Sequence, residues 1–348
     1  LYSSSYMAGH PHVGRYFAFL HAFMLSMLGI VTADNLLLLF VFWEGTTVFS
    51  YLLIGFDHEV DTARDNARQA ILITSAGGLA LLVGILLLKV AGASFTISHW
   101  VGAGDQILQH ALYPAIFTAV FLGAMTKSAQ FPFHFWLPNA MSAPTPVSAF
   151  LHAATMVKAG VYLLMRFHPL LGGTQLWMTT LVLVGGITAL WGAVQALAPS
   201  DLKRVLAYTT MMALGILIMF LGGQTTPALT AATTFLLVHA LYKASLFLAA
   251  GSIDHQTGTR LLDRLGGLWP AMPLTALAVA AASMSMAGFP LFFGFIGKEI
   301  MYKGALTETV YPGFATTIAL LSNALMTGVA GTILLGVFFG RRPPALAA

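Results

Sequence analysis

Seven side chains able to take up or release a proton lie inside apolar stretches of this 348-residue chain: Glu44, Lys127, His152, Lys158, His239, Lys243 and Lys298, with Glu299 next to the last. A charged group at membrane depth costs roughly 2.5–3.5 kcal/mol on insertion scales, so four such lysines stand against roughly 10 kcal/mol before partners and water compensate. Burial disfavours the charged form of either type, and a Glu–Lys pair restores both. Moving the carboxylate away from such a pair makes the lysine release its proton. That is a switch in a conduction path, not covalent chemistry. No arginine is expected at mid-membrane depth, so the ionic partner of Glu44 is expected to be a lysine. His239 and Lys243, spaced i,i+4, share one helix face.

Blander readings exist for some members. Lys158 could snorkel, and His152 could be a core histidine bonded to a carbonyl. Lys89, at a helix end, reads as a snorkelling anchor. His134, His152 and His239 are too scattered to suggest a metal site, and the chain has no cysteine to supply a thiolate ligand or nucleophile. No nucleotide, haem or quinone motif is present, so neither a cofactor nor a catalytic residue is expected.

Two of the lysines stand beside prolines. One stretch reads Lys127-Ser128-Ala129-Gln130-Phe131-Pro132, and the other runs from Phe289-Pro290 to Gly297-Lys298-Glu299. Proline removes a donor and breaks a helix, which a membrane protein tolerates only where the freed carbonyls are satisfied again. Pro132 and Pro290 are therefore expected to break helices, and paired breaks in two halves point to an ion path.

Composition places these groups in a bilayer. The chain is 58% hydrophobic and 8% charged, with mean hydropathy +0.83, whereas soluble domains carry roughly 25% charged residues. The net charge of +4 arises from residues dispersed among loops, which argues against a nucleic-acid surface. At about 20 residues per span, about ten helices are expected, centred near Leu25, Gly45, Leu79, Val120, Met156, Gly185, Leu214, Leu237, Ala282 and Leu325. The first two join through Ala33-Asp34-Asn35; the fourth is expected from Ile107 to Gln130, and the ninth from Pro270 to Tyr302.

Alternating the loops puts Arg15, Arg64, Arg68, Lys203, Arg204, Arg260, Arg264, Arg341 and Arg342 on one side, against Arg166, Lys303 and Lys89 on the other. The positive-inside rule makes the first side cytoplasmic, with both ends of the chain there. Ten spans divide into five plus five, with the lysine-and-proline helix fourth in each. Five is odd, so the halves are expected to be inverted repeats, 1–172 and 173–340, followed by a tail at 341–348. The chain starts at Leu1 rather than Met and has no signal peptide, so a fragment is expected. Ala143-Pro144-Thr145-Pro146-Val147-Ser148-Ala149 opens the fifth span, and Asp254-His255-Gln256-Thr257-Gly258-Thr259-Arg260 forms a polar loop.

Trp43-Glu44-Gly45, Ser50 to Phe56, Lys127 to Pro132, Ala143 to Ala149 and His152 to Met156 resemble the antiporter-like subunits of respiratory complex I. Met156 to Gly160, Ala207-Tyr208-Thr209-Thr210, Asp254 to Arg260 and Met284 to Pro290 through Lys298-Glu299 resemble more narrowly the large A subunit of the Mrp (Mnh, Pha) multisubunit cation/proton antiporters. The resemblance implies helices four to thirteen of a fourteen-helix core. It pairs Glu44 with Lys127 and continues an axis through His152, Lys158, His239, Lys243 and Lys298. Phe289-Pro290-Leu291-Phe292 departs from a more usual Pro-Pro pair.

The resulting expectation is a transporter subunit rather than an enzyme. It moves protons through the Glu/Lys/His axis coupled to Na+ export (K+ or Li+ being alternatives), within a hetero-oligomer in the bacterial inner membrane. A proton-pumping subunit of NADH-quinone oxidoreductase is the second reading, and a scaffold whose polar groups only hold helices together is the third.

Overall fold

The computed structural model describes residues 1–100, 104–307 and 310–341. Arg342 and the rest of the expected tail lie outside them. Among the described residues, fifteen α-helices follow in order: α1 (Tyr2–Tyr6), α2 (Val13–Thr32), α3 (Leu36–Ile54), α4 (Asp61–Val90), α5 (Gly104–Leu108), α6 (Tyr113–Lys127), α7 (Trp136–Asn139), α8 (Thr145–Ser148), α9 (Ala159–Leu171), α10 (Gln175–Gln195), α11 (Leu202–Leu221), α12 (Thr226–Thr257), α13 (Pro273–Ala287), α14 (Phe293–Leu306) and α15 (Pro312–Gly331). Among the described residues, eight continuous helical segments are long and apolar enough to cross a membrane, Thr145–Leu171 and Pro312–Phe339 counted as single segments. Leu25, Leu28, Val41, Leu72 and Leu79 are exposed on α2, α3 and α4. Apolar side chains facing both inward and outward are what a bilayer solvent demands.

The two expected spans missing from those eight are the two carrying the lysine-and-proline pairs. α6 starts at Tyr113, not near Ile107, because Pro114 sits in its first turn, where a missing donor costs nothing. It stops at Lys127 after 15 residues. The ninth expected span is two helices, α13 and α14, separated around Pro290. The fifth is irregular: a wider π-type turn at Ala149–Ala154 and a tight 3-10 turn at Met156–Lys158 lie between α8 and α9.

The chain forms two compact units. The first comprises 1–147 and 155–181, and the second comprises 148–154 and 182 onward. In the first, α4 lies against α3 and α6, and α2 against α3. Glycines allow the α4–α6 approach: a Cβ on Gly123 would stand 2.8 Å from the Leu81 Cβ and 3.2 Å from the Gly77 carbonyl oxygen. In the second unit, α12 lies against α11, α13 and α14, and α11 is almost wholly buried.

Each unit pins one helix start in the same way. In the first, the Leu36 amide donates to Phe95 O and the Ile97 amide to Asp34 O, at 2.9 and 2.8 Å. In the second, the Leu202 amide donates to Arg260 O and the Leu262 amide to Ser200 O, at 3.0 and 2.7 Å. Side chains reinforce both bridges. Asn35 caps α3 by accepting from the amides of Leu37 and Leu38, and Asp201 caps α11 by accepting from Arg204. Asp34 accepts from the Ser98 amide and hydroxyl at 2.8 and 2.6 Å. Asp201 pairs with Arg260 at 2.5 Å.

Candidate functional site

In the first unit, the site is built around the end of α6. Its last carbonyls are freed by the break and are satisfied again locally: the Gln130 amide donates to Met125 O at 2.8 Å, and the Trp136 indole to Thr126 O at 3.0 Å. Lys127 is completely buried there. Its ammonium donates to the Thr47 hydroxyl at 2.7 Å and to Trp43 O at 3.1 Å, both on α3, and lies 5.0 Å from the centre of the Trp43 ring.

Glu44 follows Trp43 on the same helix, but no ion pair within 4.0 Å joins it to Lys127. The Glu44 Oε1 is buried and has no hydrogen-bond partner among the described residues. Gly78 of α4 leaves the room it occupies, since a Cβ there would collide with that oxygen. The ammonium is thus held by neutral acceptors, with the carboxylate out of contact.

Lys158, also buried, ends the 3-10 turn before α9. That turn is tied to the end of α6 by the Ser128 hydroxyl, which donates to Val157 O at 2.7 Å.

The second unit repeats the cradle. Lys243 of α12, fully buried, donates to Leu206 O at 3.2 Å and to the Thr209 hydroxyl, both on α11. In each unit one helix supplies a backbone carbonyl and a threonine hydroxyl one turn further on. His239 is one turn from Lys243 and equally buried, with its ring 5.3 Å from that of Tyr242. His152, in the π-type turn, is buried with its ring 6.4 Å from Phe247 of α12.

Lys298 takes a different role. It donates at 2.8 Å to Ala287 O, the last residue of α13, and so satisfies a carbonyl freed by the Pro290 break. Gly288 suits this junction doubly: its φ is +77°, and a Cβ would strike the aliphatic chain of Lys298. Glu299 faces the other way and is exposed on α14, so it is not gathered with Lys298.

Sequence reading missed the acceptors. Thr47 and Thr209 are ordinary helix residues, 80 and 34 positions from the lysines they meet, and Thr-Thr pairs like theirs recur along the chain, so no sequence signal marks them. It also assigned Lys203 to a loop. The structure places Lys203 in the first turn of α11 with 1% exposure, because the Asp201 cap starts the helix earlier than the hydropathy does.

Helices apolar on every face, two of the expected spans broken, and ionisable groups held inside define a multi-pass helical membrane protein. The chain belongs to the NADH:quinone oxidoreductase/Mrp antiporter family, whose transmembrane model matches residues 33–327. It is 49% identical over 348 residues to the A/B subunit of a probable K(+)/H(+) antiporter of Rhizobium meliloti, covering 99% of this chain and 35% of that one. With the A subunit of the Na(+)/H(+) antiporter of Bacillus subtilis it shares 43% identity over 326 residues, covering 90% of this chain and 41% of that one. The solved structure of the Mrp complex from Dietzia sp. DQ12-45-1b matches with a TM-score of 0.88 at 38% identity, over 100% of this chain and 40% of that one. The chain therefore spans less than half the length of these relatives.

Proposed function

We propose that the chain is the proton-translocating part of a multisubunit monovalent cation/proton antiporter of the Mrp type. Protons pass by way of Glu44, Lys127 and Lys158 in the first unit and His152, His239, Lys243 and Lys298 in the second. Their movement is coupled to export of Na+, or of K+, by the assembled complex in the bacterial inner membrane. The observation that carries this reading is the Lys127 cradle. A fully buried ammonium rests on the Thr47 hydroxyl and Trp43 O, with Glu44 out of contact and its Oε1 unsatisfied. A buried polar acceptor without a partner costs about 1–3 kcal/mol, more when charged. Closing the Glu44–Lys127 gap removes that cost and holds the proton; opening it favours release. A scaffold would keep the two groups paired.

The similarity to the A subunits of Na(+)/H(+) and K(+)/H(+) antiporters favours this reading over a quinone-reducing complex. The matching one-rung bridges at the starts of α3 and α11 support two five-helix repeats, 1–172 and 173–340, which we read as inverted repeats. On that topology both ends lie on the arginine-rich side. The test is Na+-driven proton movement in vesicles carrying the complete complex. Glu44→Gln keeps the shape and removes the charge, and it should abolish the signal while assembly persists. Exchange at the wild-type rate would reject the switch.

A further inference from the structure

Where the arginine-bearing starts of α2 and α4 meet the C-terminal end of α3, a cavity of about 210 Å³ opens in the first unit, outside the lysine row. Arg15 and Phe19 of α2, Tyr51, Leu52 and Phe56 of α3 and its C-terminal turn, and Arg64 of α4 form its principal walls. None of its lining residues is acidic; Asp57 and Glu59 line the adjoining cavity with His10 and His12 instead.

The two arginines are pre-set. Arg15 lies 4.9 Å over the Phe56 ring and donates through Nη2 to Phe56 O at 3.2 Å. Its Nε is buried and has no hydrogen-bond partner among the described residues. Arg64 is braced by Asp61 and by the His58 carbonyl, to which its Nη1 donates at 2.7 Å. Guanidinium forks held this way match the oxygens of a phosphate.

One wall of the cavity is apolar and leads away from the charges. Leu52 continues into a stripe of α3 with Val48 and Val41, exposed by 46% and 62%. A free phosphate has no use for such a surface, whereas an acyl chain does.

We propose that this cavity binds the phosphate of an anionic membrane lipid between Arg15, Arg64 and the Tyr51 hydroxyl, with an acyl chain along Leu52, Val48 and Val41. Basic pockets between helices at the cytoplasmic face are where such headgroups are held. The site tethers the pocket end of α3, the helix that cradles Lys127. Lipid binding itself does not depend on the proton-transfer reading.

The experiment is native mass spectrometry of the complete complex, delipidated and then exposed to phosphatidylcholine vesicles containing cardiolipin. The wild type should retain cardiolipin, and Arg15→Gln/Arg64→Gln should lower its occupancy at least tenfold, while Arg15→Lys/Arg64→Lys keeps a partial share. Inorganic phosphate at 100-fold excess over lipid (roughly, by mole) should not displace it. Unchanged retention in the glutamine variant, or full displacement by inorganic phosphate, would overturn the proposal. If the double variant does not assemble, Tyr51→Phe and Val48→Asp made singly should each reduce occupancy several-fold; equal retention in both would overturn it as well.

Discussion

Thr47→Val tests the cradle at a single atom. Valine has the shape of threonine without the hydroxyl, so the substitution leaves α3 intact and removes one acceptor, 2.7 Å from the Lys127 ammonium. Only Trp43 O, at 3.1 Å, remains. A hydrogen bond to a charged group contributes about 1.5–3 kcal/mol, and about 1.4 kcal/mol is a factor of ten. The protonated form of Lys127 should therefore be disfavoured by about ten- to 150-fold relative to the neutral form, and exchange limited by that step should fall by at least tenfold. Thr47→Ser keeps the oxygen and should restore it. The neighbouring Thr46 is the control, because its hydroxyl donates at 2.7 Å to Trp43 O and makes no bond to Lys127. The assay is Na+-driven acidification or alkalinisation of vesicles carrying the complete complex, normalised to assembled protein. Equal losses for Thr46→Val and Thr47→Val, or no loss for Thr47→Val, would refute the assignment of Thr47 as a proton-site acceptor.

Other outcomes follow from the same geometry. Gly78→Ala places a methyl against the Glu44 Oε1 and should cut exchange with assembly retained, whereas Gly328→Ala, which meets open space, should change neither; parallel vesicle assays decide this. Gly288→Ala forces a left-handed φ of +77° on a side chain and collides with Lys298. It should cost about 1–2 kcal/mol from the backbone alone, visible as a lower melting temperature of the complex. Asp34 is held below its ordinary pKa first by the Ser98 hydroxyl, with help from the Ser98 amide and Arg166. A depressed carboxylate stabilises at pH values above its unfolded pKa, and that contribution is lost as pH falls through the lower folded value. Hydrogen exchange of the 94–100 segment, corrected for intrinsic rates, should therefore rise only below about pH 4. Asp34→Asn should show the faster exchange at neutral pH.

The buried charges were legible in the sequence for a thermodynamic reason. A lysine inside an apolar run is too costly to be incidental, and a proline beside it can only mark a break. Lys127 and Lys298 stand at those breaks in the structure, and the helix ends at Ala33-Asp34-Asn35 fall where the turn residues put them. The partners were not legible. A carbonyl such as Trp43 O or Leu206 O carries no residue-type signal, and Thr47 is 80 positions from the ammonium it meets. Hydropathy also misplaced Lys203, since a basic residue beside Arg204 reads as a loop until a helix cap is found two residues earlier. Adjacent residues can have opposite fates on a helix, as Lys298 with 8% exposure and the exposed Glu299 do. Only the packing of α14 tells them apart.

The most direct measurement of the central claim is Na+/H+ exchange by vesicles carrying the complete complex with Lys127→Ala, read beside the integrity of the complex on a native gel. Proton passage through the buried row predicts full assembly with exchange lost. Exchange at the wild-type rate in an assembled complex would contradict it.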